Sequence, residues 1–126
     1  MKLTKIIPKV KYDNMPCVYV AVGTAYEQIN GTDFADPLPA ELRGDGYATL
    51  NVANKYIRQH LTVKKRQDFR RGERPLLGEF LKDNTEKCVI CVLGHFIYAE
   101  ESKYWSFFDN DTDEVVAVWY LKSDDK

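Results

Sequence analysis

The sequence predicts an α+β domain in which N-terminal helices pack on an antiparallel sheet formed by the last third of the chain. Residues 89–93, 95–99, 103–108 and 114–121 are short segments rich in β-branched and aromatic residues. Turn residues separate these segments, as is typical of antiparallel strands. Residues 17–29 and 47–61 instead repeat apolar residues at the three- and four-residue spacing of a helix. Helical segments followed by strands indicate the α+β class.

The size and composition of the chain indicate one globular unit. Its 126 residues are enough for one domain with a hydrophobic core and too few for two, so we expect residues 1–126 to form a single domain. The chain is 44% hydrophobic and 29% charged, as globular proteins are. A net charge of −1 gives no general attraction to nucleic acid or to an anionic membrane. Because the sequence shows neither a membrane-spanning run nor a signal peptide, we expect a cytoplasmic protein without a membrane partner.

The first helix is predicted to follow an extended N-terminal arm and a turn at residues 13–16. Residues 17–22 also alternate like a strand, but the helical pattern covers more residues. Asn14 is the expected N-cap, Pro16 lies near the first turn, and Gly31 follows the last helical residues. Cys17 is therefore expected in the first turn of this helix.

The middle of the chain is predicted to contain two further helices, separated by segments with proline, glycine or many basic residues. Residues 32–46 are predicted as a loop with a short turn at 39–42, and residues 47–61 as a helix capped by Thr49. Residues 63–74 are predicted as a solvated strand or loop, with a nucleic-acid surface as the less favoured alternative. The basic residues of that segment are Lys64, Lys65, Arg66, Arg70, Arg71 and Arg74. Pro75 then precedes a short predicted helix that includes Leu76, Leu77, Phe80 and Leu81 and is ended by Asn84.

Neither a metal nor a cofactor is expected. Cys88 and Cys91 lie three residues apart in a predicted strand, so their side chains point to opposite faces and share neither a disulfide nor a metal. We expect two buried structural thiols. The acidic residues 109–114 begin like a calcium loop, but Tyr120 stands where the twelfth-position carboxylate is needed. This string is therefore predicted to be a solvated turn.

Three side chains form a candidate catalytic set, in which Cys17 is the nucleophile. A thiol at a helix N-terminus is stabilised as thiolate by unpaired backbone N–H groups. His95 opens one predicted strand and Asp109 closes the next, so an imidazole and a carboxylate can meet on neighbouring strands. Asn14 precedes Cys17 by three residues and is the candidate side-chain donor to an oxyanion.

The order of these elements resembles the small papain-like cysteine peptidases related to the bacteriocin-processing peptidases, especially the compact versions found in phages and other mobile elements. The similarity rests on a cysteine that opens the first helix, a strand that begins with histidine, and a Tyr- and Trp-rich strand that ends in an acidic residue. Here these pieces are Cys17-Val18-Tyr19, Gly94-His95-Phe96 and Tyr104-Trp105 through Asp109. It spans nearly the whole chain, in order and spacing more than in identity.

The resemblance implies a papain-like fold, with Cys17 as nucleophile, His95 as general base and Asp109 as the residue that orients it. Met15-Pro16 replaces the Gly-Asp that precedes the cysteine in that family, and no glutamine lies upstream, so the oxyanion role falls to Asn14. The implied function is thiol-dependent hydrolysis of a peptide or isopeptide bond in a protein or peptide substrate. The alternative is a non-catalytic binding module of the same fold, such as a phage effector that occupies a host protein. The sequence leaves the oligomeric state open.

Overall fold

The computed structural model describes residues 3–42 and 49–122, and within these ranges it contains three α-helices and one six-stranded sheet. The helices are α1 (Cys17–Asn30), α2 (Leu50–His60) and α3 (Leu77–Lys82). The strands are β1 (Thr4–Ile6), β2 (Val63–Asp68), β3 (Lys87–Val92), β4 (His95–Glu100), β5 (Lys103–Trp105) and β6 (Val115–Leu121). The α+β class predicted from the sequence is confirmed.

The sheet is mixed, which corrects the prediction of a purely antiparallel one. Its order is β1-β5-β4-β3-β6-β2, and β1 pairs in parallel with β5 while the other neighbours are antiparallel. The four C-terminal strands form the centre, as the sequence indicated. The basic segment supplies the edge strand β2, and the N-terminal arm supplies the opposite edge, where Thr4 aligns with Lys103 and Ile6 with Trp105.

Each face of the sheet carries its own hydrophobic cluster. Helices α1 and α2 cover the face that includes Cys91, Phe96 and Trp119, whereas α3 covers the face with Cys88 and Ile97. Because adjacent strand residues alternate between faces, the even- and odd-numbered side chains of β4 belong to different clusters. Cys88 and Cys91 are free, buried and on opposite faces, as predicted.

Helix α1 packs chiefly on β4 and begins at Cys17, but its cap differs from the prediction. Pro16 is the N-cap and no side chain caps the helix. Asn14 lies two residues earlier with φ 62°, so it forms part of the left-handed turn that leads into α1. The C-terminus follows the prediction, since Gly31 has φ 74° and its N–H donates to the carbonyl of Glu27 at 2.9 Å.

Helix α2 is capped as the sequence predicted. The side chain of Thr49 accepts a hydrogen bond from Val52 N at 3.2 Å. The buried side of α2 packs on the hydrophobic cluster that contains Phe96 and Trp119. The first two residues predicted for this helix, 47 and 48, lie outside the described residues. Residues 40–42 form the short turn expected in the preceding loop, and α3 follows Pro75 closely.

Strand β5 ends at Trp105, three residues before the predicted end of this strand. Residues 106–114 instead form an irregular loop that packs on the start of α3. In these contacts Leu77 N donates to the carbonyl of Asp113 at 2.8 Å, and Gly78 N donates to that of Asp111 at 2.9 Å. Because β5 ends early, it pairs only with Tyr98–Glu100 of β4, and the first residues of β4 line the cleft described below.

Candidate functional site

A cleft of about 310 Å³ lies between the first turn of α1 and the beginning of β4. The turn before α1 contributes Asn14, α1 contributes Cys17, and β4 contributes His95. Most of the remaining lining is apolar. These apolar residues are Met15, Val20, Phe96, Trp105, Phe107 and Phe108. Ser106 and Asp13 are the further polar residues of the lining. The cleft thus combines a thiol and an imidazole with apolar walls.

Cys17 is half-buried at the start of α1, where opposing influences act on its thiol. Burial raises the pKa of Cys17, while the backbone N–H groups of Phe96, Cys17 and Val18 favour the thiolate and oppose that rise. The N–H groups of Cys17 and Val18 are available because the first turn of a helix leaves N–H groups unpaired and no side chain caps α1, whereas Phe96 belongs to β4. The net result is a raised pKa, so the resting thiol is neutral at pH 7.

His95 follows Gly94, which takes φ 84° in the turn between β3 and β4. The ring is nearly perpendicular to that of Phe108, with ring centres 5.6 Å apart. Burial lowers the pKa of His95, and the nearby carboxylate of Asp113 partly offsets this effect. The imidazole is therefore neutral at pH 7 and has a nitrogen lone pair available as a base.

The structure places Cys17 and His95 in one cleft without joining them directly. The hydrogen bonds found among residues 3–42 and 49–122 do not include one between the thiol and the imidazole. The polar side chain next to the ring is Ser106, whose Oγ lies 3.5 Å from His95 Nε2. A neutral thiol and a neutral imidazole can exchange a proton where they come within hydrogen-bond distance of each other.

Asp109 does not take the position expected of the residue that orients the imidazole. Its carboxylate forms an ion pair with Lys5 at 2.9 Å, and its side chain is 84% exposed. The physical reason is the early end of β5, since residue 109 lies in a loop and not at the end of a strand beside β4. Asn14 lines the cleft as expected of an oxyanion donor, although it is not the N-cap of α1.

Two buried polar residues that the sequence interpretation missed lie behind the histidine. Ser106 is 2% exposed and Asn110 is 4% exposed, and Ser106 Oγ donates to Asn110 Oδ1 at 2.6 Å. The sequence held one weak signal, because Ser106 interrupts a run of aromatic residues. Asn110 stands among acidic residues that are typical of a solvated turn, and nothing in that pattern indicates burial.

The basic strand β2 uses several of its charges within the protein. Lys64 pairs with Glu86 at 2.5 Å and Arg66 with Asp68 at 2.8 Å. Arg66 also lies over the ring of Trp119, and Lys65 lies over the ring of Tyr120. Such pairing reduces the charge available to a nucleic acid. The expectation that nucleic acid is not the main partner stays a prediction.

Two further features bear on ligands and membranes. Across the described ranges 3–42 and 49–122, no three His, Cys, Asp or Glu side chains are grouped so that they could hold a metal ion. In the same part of the chain, none of the helices is both long enough and apolar enough to cross a bilayer.

Comparison with known proteins identifies no relative, since the chain matches no family model, no curated protein and no solved structure. The papain-like resemblance of the sequence therefore stays a prediction. The geometry of the cleft is the basis for the functional proposal.

Proposed function

We propose that this protein is a papain-like cysteine hydrolase that cleaves a peptide or isopeptide bond through an acyl-enzyme. One observation carries the proposal: the thiol at the start of α1 and the imidazole at the start of β4 line the same cleft. A nucleophile on a helix N-terminus opposite a base on a rigid strand is the arrangement that thiol acyl transfer requires. This function is the one that the geometry supports best.

The reaction has two steps, acylation of Cys17 and hydrolysis of the resulting thioester. His95 takes the thiol proton as the sulfur of Cys17 attacks the carbonyl carbon, and it then gives that proton to the leaving amine. Water next attacks the thioester with His95 as the base, which releases the carboxylic acid and restores the thiol. The neutral state of both side chains suits this order, because the base must be unprotonated before attack.

The negative charge that develops on the carbonyl oxygen needs donors near the sulfur. The backbone N–H groups of Cys17, Val18 and Phe96 face the thiol and are the candidates closest to it. Asn14 lines the same cleft and is a candidate side-chain donor. Pro16 contributes no N–H, but the uncapped first turn of α1 supplies those of the residues that follow it.

The apolar walls of the cleft suggest the kind of substrate. Met15 and Phe108 line the cleft and are 40% and 62% exposed, so they are available to contact a ligand at its mouth. Phe96 and Trp105 line it as buried residues. The preferred substrate therefore carries an apolar side chain next to the bond that is cleaved.

The experiment that tests this function measures how fast iodoacetamide alkylates Cys17 as a function of pH. Cys88 and Cys91 are replaced by alanine, which suits their buried apolar sites. Because His95 can take the thiol proton as the sulfur attacks, we expect a component of the rate at pH values below the ordinary thiol pKa of about 8.5, where the raised pKa of Cys17 leaves little thiolate to react without a base. This component disappears in His95→Ala. It persists in the matched control His60→Ala, because His60 lies at the end of α2, 3.3 Å from Asp36, and does not line the cleft. A single rise near or above that pKa, the same with and without His95, contradicts the hydrolase.

A second measurement follows acyl transfer itself. With an apolar p-nitrophenyl ester, the hydrolase releases one equivalent of nitrophenolate in a rapid burst, and Cys17→Ala abolishes the burst. A burst that survives in Cys17→Ala contradicts the role of this residue.

A non-catalytic binding module of the same fold is the second candidate. The raised pKa of Cys17 favours it, as does the lack of a thiol–imidazole hydrogen bond within the described residues. This candidate predicts that Cys17→Ala keeps full binding to whatever partner occupies the cleft. The alkylation profile separates the two candidates before any partner is known.

A further inference from the structure

Behind His95, three side chains form a continuous chain of hydrogen bonds. Ser106 Oγ lies 3.5 Å from His95 Nε2 and donates to Asn110 Oδ1 at 2.6 Å. Asn110 Nδ2 in turn donates to Asp113 Oδ2 at 2.7 Å. Ser106 and Asn110 are almost fully buried, and the series of hydrogen bonds ends at the carboxylate of Asp113.

The direction of each bond follows from the carboxylate at the end. An ionised carboxylate only accepts, so the amide of Asn110 turns its NH2 group to Asp113 and its oxygen to Ser106. The hydroxyl of Ser106 has one proton, which goes to that amide oxygen. Its oxygen is then an acceptor towards the ring, so Nε2 carries the imidazole proton and Nδ1 carries the lone pair.

We propose that Asp113, acting through Asn110 and Ser106, sets the tautomer and orientation of His95 so that Nδ1 is the basic nitrogen. The catalytic meaning of this assignment rests on the proposed hydrolase, in which Nδ1 takes the proton of Cys17. Ser106, Asn110 and Asp113 are positioning residues, because they act through the imidazole and not on a substrate. Together these three residues orient the imidazole of His95, which is the role that the sequence analysis assigned to Asp109.

The loop that carries the chain is fixed at several points. Asn110 N donates to Tyr104 Oη at 3.3 Å, and Phe108 N donates to Ser106 Oγ at 3.1 Å. The carbonyl of Asp113 accepts a hydrogen bond from Leu77 N at 2.8 Å, which attaches the last residue of the hydrogen-bonded series to α3. A positioning role needs this rigidity, since a mobile serine would not hold the ring in one orientation.

The charges near the imidazole distinguish Asp113 from the other acidic residues. Asp113 acts electrostatically on His95, whereas Asp109 is paired with Lys5 and exposed. The other ionisable groups that line the cleft are the thiol of Cys17 on α1 and the carboxylate of Asp13 before it. Asp113→Asn and Asp109→Asn each remove one negative charge from the same loop. Only Asp113 belongs to the series of hydrogen bonds that reaches His95.

The test is a histidine NMR experiment on the 15N-labelled full chain, in which His95→Gln identifies the signals of this ring. Two-bond 1H–15N correlations at pH 8 report the tautomer, and a pH titration reports the pKa of His95. We expect the proton on Nε2 in the unsubstituted protein. Asp113→Asn lowers the pKa of His95, while Asp109→Asn leaves it unchanged. Ser106→Ala gives faster exchange of the Nε2 proton with water and an averaged mixture of tautomers.

Three outcomes overturn the proposal. These are a proton on Nδ1 in the unsubstituted protein, equal effects of Asp113→Asn and Asp109→Asn on the pKa, and a Ser106→Ala ring indistinguishable from that of the unsubstituted protein. Asp113→Asn keeps the size of the side chain, so it provides a result even if Ser106→Ala fails to fold.

Cys17 alkylation in the same variants separates this proposal from the hydrolase. We expect Ser106→Ala to slow the His95-dependent component by about three- to tenfold, the effect of one hydrogen bond. If His95→Ala leaves alkylation unchanged, the hydrolase is wrong whatever the NMR shows. If alkylation depends on His95 but the ring is insensitive to Ser106 and Asp113, the hydrolase stands and the positioning chain is wrong.

Discussion

The phenol ring of Tyr12 lies directly against the backbone of α1 at Gly23. A Cβ at residue 23 would be 2.2 Å from Tyr12 Oη and 2.7 Å from its Cζ. Tyr12 is 1% exposed, and a ring in a closely packed interior cannot move aside without displacing its neighbours. This contact fixes the segment before Cys17 on the helix that Cys17 opens.

Gly23→Ala is therefore expected to destabilise the protein, although alanine favours helix formation. Overpacking costs about 1–3 kcal/mol, which exceeds the gain in helix propensity of about 1 kcal/mol. Urea unfolding measures the change. In a Tyr12→Leu background the same substitution should become neutral or stabilising, and equal destabilisation in both backgrounds would show that the ring contact is not the cause.

The buried carboxylate of Glu27 makes the stability depend on pH. It accepts from Lys11 at 2.6 Å, from Phe34 N at 2.9 Å and from Lys9 at 3.3 Å. Burial alone would raise the pKa of Glu27, but these partners outweigh it and hold the pKa below its usual range. Because the folded pKa is depressed, the stabilisation is present above the unfolded pKa of about 4.3 and is lost as the pH falls through the folded value.

Glu27→Gln should lower the free energy of unfolding at pH 7 by about 1–2 kcal/mol, since it removes charge-assisted hydrogen bonds to partly exposed lysines. The difference from the unsubstituted protein should shrink as the pH is lowered below about 4.3. Asp33→Asn is the matched control, because this carboxylate belongs to the same cluster but its side chain is 75% exposed. A difference that stays constant down to pH 2 would contradict the depressed pKa.

The indole of Trp119 depends on a single acceptor. Trp119 is fully buried, and its Nε1 donates to Asn54 Oδ1 at 2.9 Å. Asn54→Leu leaves this N–H without a partner and should cost about 1–3 kcal/mol in chemical denaturation. Arg58 also donates to Asn54, at 2.9 Å from an exposed position, so Arg58→Ala should have little effect. If Asn54→Leu costs as much in a Trp119→Phe background, the indole bond is not responsible.

Phe108 at the mouth of the cleft should determine which reagents reach Cys17. Phe108→Ala is expected to lower the rate ratio of N-phenylmaleimide to iodoacetamide at Cys17, with less than about 0.5 kcal/mol change in stability. Leu93→Ala is the matched control, since Leu93 is 60% exposed but does not line the cleft. An unchanged ratio in Phe108→Ala, or an equal fall in Leu93→Ala, would mean that the apolar mouth does not select ligands.

Local sequence signals predicted most of the regular structure. Thr49 caps α2 as expected, Gly31 ends α1, and the alternation of β3 places Cys88 and Cys91 on opposite faces. These features depend on neighbouring residues, so they can be read along the chain. Strand β1 was missed as a strand because it has three residues, of which Thr4 and Lys5 are exposed, and no apolar alternation marks it.

The support of the imidazole was not predictable in the same way. The sequence pattern predicted that β5 extends to residue 108, whereas the strand ends at Trp105, so the alternation of a strand does not apply to the residues that follow. Asp109 therefore turns to Lys5, and Ser106 and Asn110 turn inwards. Strand ends depend on contacts with distant residues, here those of the loop with α3, and single-sequence patterns do not contain them.

Strand β6 follows every other described element in the chain, yet it lies between β3 and β2. A ribosome therefore releases α1 and its cysteine well before the strand that completes the middle of the sheet. Such non-local pairing is slow to form and delays folding until synthesis has passed residue 121. Under the proposed function, a nascent or truncated chain carries a thiol without an ordered base opposite it. Hydrolysis would thus begin only after β6 has been synthesised and has paired within the sheet.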